Sequence, residues 1–462
     1  MTSKSSLHLP PEFVTYYYTQ TLDHFNYKPE SYATFQQKYI MNFKYWGGAS
    51  TSSPIIVYIG EEAPLTFGVR GKGFIHRYYG DSMPFGSFDE AFRDANTLGF
   101  LSSTQALADC AQLITDVKRN LSAENCPVIA IGGSYGGMLA SWLRLKYPHI
   151  ATGALASSAP ILYFDDLTPQ NGYHVVVTND FRDVSESCYN TIKQSWSEIY
   201  RVAGQTNGLT TLSNIFQTCS PLNSSKELKD HLGMMYVISA QNDNPPYNPV
   251  SKVCGAIDGA PKGTDILGKV AAGLNASLLR GGPCLAFLFF NSPEVQCNHI
   301  IDFTPKNTSG WTWQTCTEMV MPIGHGENDT MFQGSPFDLN NYTKSCQALF
   351  GVTPKPHWIT TEFGGHDIKS VLGNFSSNII FSNGLRDPYS VGGVLKNISD
   401  NIIALPTVNG SHCLDIVKSN KTSDPDWLVQ QRKTEVEIIE GWIAKYYADL
   451  KAINKWIPFK LQ

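Results

Sequence analysis

The sequence predicts an α/β fold in which one mostly parallel β-sheet is interrupted by an inserted, mostly helical domain. Short β-branched runs alternate with helical patterns in the first part of the chain, and the same alternation returns near its end. Between these parts lie amphipathic stretches, scattered cysteines and polar loops. Alternating strands and helices are typical of a parallel sheet with helices on its faces.

We therefore expect residues 1–163 and 366–462 to form the two parts of one α/β domain, with residues 164–365 as an inserted helical cap domain. A chain of 462 residues would also accommodate about three separate domains of roughly 150 residues each. Either arrangement provides a sizeable hydrophobic core.

Five short apolar runs predict the strands, in chain order. They span residues 54–59, 127–131, 153–155, 378–382 and 402–408, and each is followed by glycine, small residues or a loop. A helix is predicted directly after the second run, because apolar residues recur at three- and four-residue steps from Met138 until Pro148. A long amphipathic helix containing Trp427 and Trp442 follows the last run, and its apolar stripe should dock on the first part of the fold.

The composition excludes several classes of function. The chain has 35 Lys+Arg against 40 Asp+Glu, a formal net charge of −5, and no basic cluster that would bind a nucleic acid. Its apolar runs are far shorter than the ~20 residues of a membrane helix, so no membrane span is expected. Without an HExxH, P-loop or GxGxxG motif, we expect neither a metal nor another cofactor.

Cysteine and sequon usage favours passage through an oxidising secretory pathway. The 10 cysteines include no CxxC pair, whereas a zinc site would require closer pairs. Ten N-x-S/T sequons accompany them. A cytosolic enzyme with chance sequons is the alternative. The candidate glycosylation sites are Asn120, Asn223, Asn275, Asn307, Asn328, Asn341, Asn374, Asn397, Asn409 and Asn420.

The N-terminal residues lack the apolar segment of 7 to 15 residues that defines a signal peptide. We therefore expect that the chain starts after a processed leader or that its N-terminus is incomplete. The expected location is the vacuole or lysosome, or the extracellular space.

One motif carries the chemistry. Gly132 to Gly136 (GGSYG) fits G-x-S-x-G between a predicted strand and a predicted helix, which is the setting of a nucleophile elbow. Such a turn is sharp, so its flanking positions require glycine, and it holds the oxygen of Ser134 out above the sheet. A tight strand-to-helix turn without chemistry is the alternative.

A serine nucleophile requires an imidazole base, which is itself oriented by a carboxylate. Asp387 follows the fourth predicted strand, and His412 follows the fifth. The order Ser, Asp, His along the chain is that of α/β-hydrolases. Ser134, Asp387 and His412 are therefore the predicted triad, although an Asp-Pro turn and a loop histidine are also common structural features.

The oxyanion hole is predicted from two backbone N–H groups. One belongs to Tyr135, the residue after the nucleophile, and the other to an earlier loop at a strand end. The stretch His76 to Gly80 (HRYYG) is the best candidate for that loop, with Gly80 as the donor. A structural aromatic turn is an equally good interpretation of this stretch.

At these motifs the sequence resembles the S28 family of serine exopeptidases, and its plant branch in particular. The likeness runs through nearly the whole chain. The matching stretches are 18–25 (YTQTLDHF), 76–86 (HRYYGDSMPFG), 132–160 (GGSYGGMLASWLRLKYPHIATGALASSAP), 316–322 (CTEMVMP), 381–388 (FSNGLRDP) and 411–416 (SHCLDI). The resemblance implies an α/β-hydrolase domain with an inserted cap and exopeptidase activity next to proline at acidic pH.

By position, the resemblance also implies roles for individual residues. Ser134 is implied as the nucleophile, Asp387 as the orienting acid and His412 as the base. Three positions match residues that line a proline pocket in the family: Met138, Met321 and Tyr389. Two positions match a disulfide-bonded pair: Cys316 and Cys346.

The leading hypothesis is a serine exopeptidase of the Pro-X carboxypeptidase type, acting on peptides with proline near a terminus. A dipeptidyl peptidase that removes N-terminal X-Pro dipeptides is the first alternative, with Glu61 and Glu62 as binding groups for the free amine. A catalytically silent glycoprotein is the second, because only residues 61–75 separate the first predicted strand from His76. A lipase or esterase is the third. The oligomeric state stays open, with a homodimer as one option.

Overall fold

The computed structural model describes residues 11–62, 73–74, 76–277, 285 and 305–456. Within these residues, one eight-stranded sheet has the order β1-β2-β4-β3-β5-β6-β7-β8. The strands are β1 (Phe13–Thr21), β2 (Thr34–Asn42), β3 (Ile55–Ile59), β4 (Gly73–Phe74), β5 (Val128–Gly133), β6 (Gly153–Ser157), β7 (Ile379–Gly384) and β8 (Ile402–Thr407). The predicted α/β class is confirmed, and all five predicted strands are present.

The sheet is parallel from β4 to β8 and antiparallel at the β1–β2 edge. Gly132 pairs with Ala156 of β6, and Phe381 of β7 pairs with Ala404 of β8. Because parallel strands end at the same edge of a sheet, the segments that follow β5, β7 and β8 lie along one edge.

Helices surround the sheet and fill the insertion between β6 and β7. Around the sheet are α1 (Phe88–Ala91), α2 (Ala95–Leu98), α3 (Ser103–Asn120) and α4 (Ser134–Lys146). The insertion contains α5 (Gly172–Val184), α6 (Glu186–Ala203), α7 (Gly208–Phe216), α8 (Ser225–Gln241), α9 (Pro249–Asp258), α10 (Ile266–Ala276), α11 (Pro305–Thr315), α12 (Leu339–Phe350) and α13 (Trp358–Phe363). After it come α14 (Ile368–Phe375) and α15 (Asp426–Trp456).

The insertion divides between two buried clusters. Helices α5 to α10 build a cluster of their own around residues such as Phe181, Trp196 and Tyr236. In contrast, Trp311, Met319 and Phe363 pack into the cluster that contains the parallel strands and α4. Helices α5 to α10 are thus a helical cap with its own core, which Met331 and Phe332 join, whereas Trp311, Met319 and Phe363 pack against the sheet.

The long helix α15 docks on the sheet as its apolar stripe predicts. Trp442 is buried with Ile129, Leu155 and Ile380, which belong to three neighbouring strands. A Cβ atom at Gly153 would lie 2.5 Å from the Trp442 ring, so glycine is needed where the indole meets β6. The C-terminal helix therefore stabilises the same strands that carry the predicted triad.

Arg77 is a fully buried structural residue rather than a free loop cation. Its guanidinium donates to both carboxylate oxygens of Asp109, at 2.7 and 2.6 Å. It also donates to the backbone carbonyls of Leu22, Phe100 and Thr21. One side chain therefore joins β1, α3 and the loop after β4. The 76–80 stretch thus has a structural role, in line with the alternative interpretation of this stretch as a structural turn.

We expect Arg77→Met to destabilise the protein by about 3–5 kcal/mol, because it leaves the Asp109 carboxylate buried without its main partner. Urea denaturation at pH 6 measures this free energy of unfolding. The control is Lys38→Met, which removes the exposed Lys38–Asp81 pair and should cost about 1 kcal/mol or less. Equal losses in the two variants would contradict the role assigned to Arg77.

Candidate active site

Ser134 lies where β5 ends and α4 begins, in the strained turn that a nucleophile elbow requires. Its φ angle is +53°, in the left-handed region that residues with a side chain rarely adopt. The residue is 9% exposed, so the turn is almost fully enclosed. Strain of this kind persists only where the surrounding structure holds the backbone in place.

Two glycines of the GGSYG motif make this turn possible. A Cβ atom at Gly132 would lie 2.1 Å from the carbonyl oxygen of Gly136. A Cβ atom at Gly136 would lie 2.6 Å from the carbonyl oxygen of Ile59, at the end of β3. Glycine is therefore required at both positions. At Gly132 a side chain would collide within the elbow, and at Gly136 it would collide with β3.

His412 and Asp387 are hydrogen-bonded to each other at the same edge of the sheet. His412 Nδ1 lies 2.7 Å from Asp387 Oδ2, and the second carboxylate oxygen accepts from the backbone N–H of Tyr389 at 3.0 Å. Both side chains are buried. Since a carboxylate can only accept, Nδ1 carries the proton and Nε2 of the neutral ring is an acceptor. Among the described residues Nε2 has no hydrogen-bond partner.

The loops that carry these two residues contact each other through their backbones and are also held by the cap. A Cβ atom at Gly384 would lie 2.3 Å from the carbonyl carbon of Gly410, so the two loops touch through their backbones. From the cap, the Gln241 carbonyl accepts from the backbone N–H of His412 at 3.2 Å. Arg386 donates to Asp243 of the cap at 2.9 Å. The end of α8 thus fixes the loops on both sides of the Asp–His pair.

A chain of directed hydrogen bonds holds the side chain of Tyr135. His76 Nδ1 faces the Arg77 carbonyl at 2.8 Å and must donate to it, so His76 Nε2 accepts from the Tyr135 hydroxyl at 3.1 Å. Gln314 Nε2 donates to the same hydroxyl at 2.9 Å, and Tyr79 donates to Gln314 Oε1. Burial lowers the pKa of His76 to about 4, which keeps the ring neutral. Sequence reasoning singled out His76 and Tyr79, but Gln314 carried no signal.

The loop after β3 lies against the elbow and contributes two buried acids. A Cβ atom at Gly136 would lie 3.6 Å from the backbone nitrogen of Glu61. Glu61 and Glu62 are only 4% and 3% exposed. Burial raises the pKa of Glu62, whereas a backbone hydrogen bond and the proximity of His412 oppose that shift. Burial, together with the charge of Glu62, raises the pKa of Glu61 well above its usual range.

Gly80, the second predicted oxyanion donor, lies on the surface. It lines a groove with Phe35 and Asp81 near the antiparallel edge of the sheet. Among the backbone hydrogen bonds of the described residues, none joins Gly80 to Ser134 or Tyr135. The backbone of residues 59–61 approaches the elbow, because β3 is the direct neighbour of β5.

The three predicted pocket residues lie around the junction of cap and sheet. The ring of Tyr389 lies 5.5 Å from that of His412 and 4.9 Å from that of Tyr173 on α5. Met321 packs against both buried clusters. Met138, one helical turn after Ser134, is buried in the cluster of the sheet. Tyr389 and Met321 thus lie at this junction, whereas Met138 is part of the core of the sheet.

The structure contains the Cys316–Cys346 disulfide and a second one between Cys188 and Cys254. Cys219 and Cys413 are also disulfide-bonded, while Cys110 and Cys126 are free and buried. The asparagines of nine sequons are exposed. The side chain of the tenth, Asn307, lies outside the described residues. No group of three or more His, Cys, Asp or Glu side chains in the described ranges could hold a metal ion.

Several carboxyl groups are buried and hold a proton more tightly than in the unfolded chain. Burial raises the pKa of Asp180 to about 8 and that of Glu318 to about 7. Burial and the charge of neighbouring Asp415 raise the pKa of Glu435. Buried histidines change in the opposite sense, since burial lowers the pKa of His174 to about 3 and that of His231 to about 4.

These shifts predict that the protein loses stability as the pH rises above about 6.5. The histidines of the unfolded chain release their protons around pH 6.5, so at higher pH only the raised carboxyl pKa values still matter, and the folded chain keeps protons that the unfolded chain has already released. Below pH 6.5 the buried carboxyl groups and the buried histidines have opposite effects on how stability changes with pH. We expect the free energy of unfolding to fall by on the order of 3 kcal/mol between pH 6.5 and 8.5.

Thermal unfolding at pH 5, 6.5 and 8.5 measures this effect. Glu435→Gln should flatten the decline, because an amide does not titrate. A melting temperature at pH 8.5 equal to or above that at pH 6.5 would contradict the prediction.

Comparison with known proteins agrees with this geometry. The family Serine carboxypeptidase S28 matches residues 20–435. The lysosomal Pro-X carboxypeptidase of Homo sapiens is 37% identical, over 96% of this chain and 92% of the relative. That of Mus musculus is 36% identical, over 94% and 90%. The prolyl carboxy peptidase like protein 5 of Caenorhabditis elegans is 30% identical, over 91% and 88%.

Proposed function

This chain belongs to the serine carboxypeptidase S28 family and is a serine-type exopeptidase that acts next to proline, and we propose that it removes the C-terminal residue from peptides with a penultimate proline. The observation that carries the proposal is the buried His412–Asp387 hydrogen bond, with a free Nε2, on the sheet edge where the Ser134 elbow ends β5.

In the proposed mechanism, Ser134 Oγ attacks the carbonyl carbon of the substrate proline while His412 Nε2 takes its proton. Asp387 keeps the other ring nitrogen protonated and stabilises the imidazolium that forms. The backbone N–H of Tyr135 and one from residues 60–62 stabilise the developing oxyanion. His412 then protonates the leaving amine, and a water molecule hydrolyses the acyl-enzyme by the same steps.

The proline ring of the substrate would lie between Tyr389 and Met321. Both side chains lie at the junction of cap and sheet, and the ring of Tyr389 is 5.5 Å from that of His412. Aromatic and thioether side chains suit a compact apolar ring. The cap would admit only a chain end, which is what an exopeptidase requires.

The test is a single peptide with proline at both its second and its penultimate position, incubated with the purified protein at about pH 5 and analysed by mass spectrometry. We expect loss of the C-terminal residue. The matched control is the same protein after covalent reaction with a fluorophosphonate, which requires a serine activated by its base. Loss of an N-terminal dipeptide would favour the dipeptidyl peptidase, and absence of cleavage by folded protein would contradict the proposal.

The alternative of a catalytically silent glycoprotein was based on the short segment of residues 61–75, and that segment gives it little support. The shortened stretch before His76 still yields β4, where Tyr58 of β3 pairs with Gly73. Phe74 pairs with Tyr39 of β2, so β4 joins the parallel and antiparallel parts of the sheet. The sheet is therefore continuous beside the elbow.

We further propose a glycosylated protein of the lysosome, vacuole or secretory route. The relatives named lysosomal and the nine exposed sequon asparagines support this location. In the described residues no helix is both long and apolar enough to cross a membrane. Treatment of the protein from a eukaryotic host with an amidase that removes N-glycans should lower its mass by several kilodaltons. An unchanged mass would argue against the location.

A further inference from the structure

Two buried carboxyl groups beside the Ser134 elbow each have one oxygen without a hydrogen-bond partner in the part of the chain that the structure describes. Among the described residues, Oε2 of Glu61 and Oε2 of Glu62 are buried without a hydrogen bond. Leaving a buried carboxyl oxygen unpaired costs free energy, so such groups usually serve a ligand or a reaction. The mechanism above uses the backbone of this loop and leaves both side chains without a role.

Their position is that of groups that can reach a substrate. The backbone nitrogen of Glu61 would lie 3.6 Å from a Cβ atom on Gly136, in the first turn after Ser134. Glu62 interacts electrostatically with His412 and with Tyr135, the two residues expected to flank the reacting carbonyl. The free carboxylate of a C-terminal residue lies within one residue of the scissile bond, or about 3.8 Å between Cα atoms. A group that recognises it must therefore lie this close.

Among the described residues, the two arginines beside these loops, Arg77 and Arg386, are already engaged. The Arg77 guanidinium donates its hydrogen bonds to Asp109 and to backbone carbonyls. Arg386, beside Asp387, is paired with Asp243 and lies 3.5 Å from Asp180. Recognition without a free cation requires neutral donors, and a protonated carboxyl group donates one O–H.

Building on the proposed function, we propose that the Glu61–Glu62 carboxyl pair binds the free C-terminal carboxylate of the substrate, donating a hydrogen bond from its retained proton. Among the described residues, the titratable groups that interact with the pair are Tyr58, Tyr135 and His412. Two ionised carboxylates side by side in this buried loop would repel each other and the substrate, so the pair keeps a proton in acid. Binding is then strongest at acidic pH and is lost as the pair ionises.

This assignment reverses the role expected for these residues. A pair that binds a free amine must be ionised, whereas burial and mutual repulsion favour the protonated form of both Glu61 and Glu62. The same two side chains therefore favour a substrate with a free carboxylate over one with a free amine.

The experiment compares two N-blocked peptides that end in Pro-Phe, one with a free carboxylate and one with a terminal amide. The wild type at pH 5 should prefer the free acid. Glu61→Leu and Glu62→Leu should each reduce that preference about 10- to 100-fold, mainly through KM, as expected for one hydrogen bond to a charged group. Glu62→Gln should keep the preference and extend it to pH 8, because an amide N–H donates at every pH.

Matched controls separate recognition from folding. Glu318→Gln changes another buried carboxyl with a raised pKa, hydrogen-bonded to Ser103, and should leave the acid-to-amide ratio unchanged. Fluorophosphonate labelling of each Leu variant shows whether the elbow and base are assembled. Leu variants that label normally and keep the wild-type ratio would overturn the inference. A wild type that does not trim the C-terminus at all would instead overturn the proposed function.

Discussion

We expect Ser134→Ala to reduce kcat for a Pro-X peptide by about 10⁶-fold and to abolish labelling by a fluorophosphonate. The reason is chemical, since the variant lacks the atom that forms the acyl-enzyme, and removing a serine of a working triad costs a factor of this order. The elbow itself should survive, because alanine has the same Cβ atom that the turn already accommodates at φ +53°. Single-turnover kinetics at about pH 5 measures the loss.

Ser141→Ala is the matched control for this variant. Ser141 lies on the same helix, is buried more deeply than Ser134, and its hydroxyl donates to the carbonyl of Met138 at 2.8 Å. We expect its kcat to stay within about threefold of the wild type, as for a neutral hydrogen bond away from the reacting atoms. If Ser134→Ala retained more than about one thousandth of the activity, another nucleophile would have to be sought.

Asp387→Asn should lower kcat by about 10⁴-fold with little change in KM. Its Oδ1 accepts from the backbone N–H of Tyr389, so an asparagine would keep its carbonyl there and turn its NH2 group toward His412. Nδ1 of His412 would then have to accept, which places the ring proton on Nε2. A ring in that form cannot take the proton from Ser134, even though every heavy atom is in place.

The control for Asp387→Asn is a second aspartate paired with histidine away from the triad. Asp165 contacts His357 and His366 at the surface of the insertion. Asp165→Asn should leave kcat within about twofold, as for a surface pair. If Asp387→Asn only made His412 less basic, raising the pH would restore its activity. We expect less recovery than that, because the variant holds His412 in the wrong tautomer. Similar kcat values for the two variants would rule out the orienting role of Asp387.

The sequence was sufficient to predict the parts of this protein that depend on local chemistry. The GGSYG turn, the strand before it and the helix after it follow from glycine placement and apolar periodicity over about a dozen residues. The late loops carrying Asp387 and His412 are also visible, because each follows a short β-branched run. The antiparallel strands β1 and β2 were not predicted, since neither shows clean alternation of buried and exposed residues.

What could not be predicted depends on contacts between distant segments. Arg77 looked like part of an oxyanion loop, and only the approach of Asp109 from α3 makes it structural. The sequence suggested Glu61 only as a binding group for a free amine, because nothing in it indicates that β3 lies beside the elbow. Gln314 contacts Tyr135 across 179 residues of chain. Pairings of that range have no local pattern.

The position of the cap has a consequence for how the chain is made. Strands β6 and β7 are neighbours in the sheet, yet Asn378 donates a hydrogen bond to the carbonyl of Thr152, 226 residues earlier. At 5–20 residues per second, a ribosome needs about 10 to 45 s to synthesise that interval. During this time β6 has an unpaired, apolar edge, and the strands that carry Asp387 and His412 do not yet exist. The contact order of the central sheet therefore makes folding of the hydrolytic site one of the last events of synthesis.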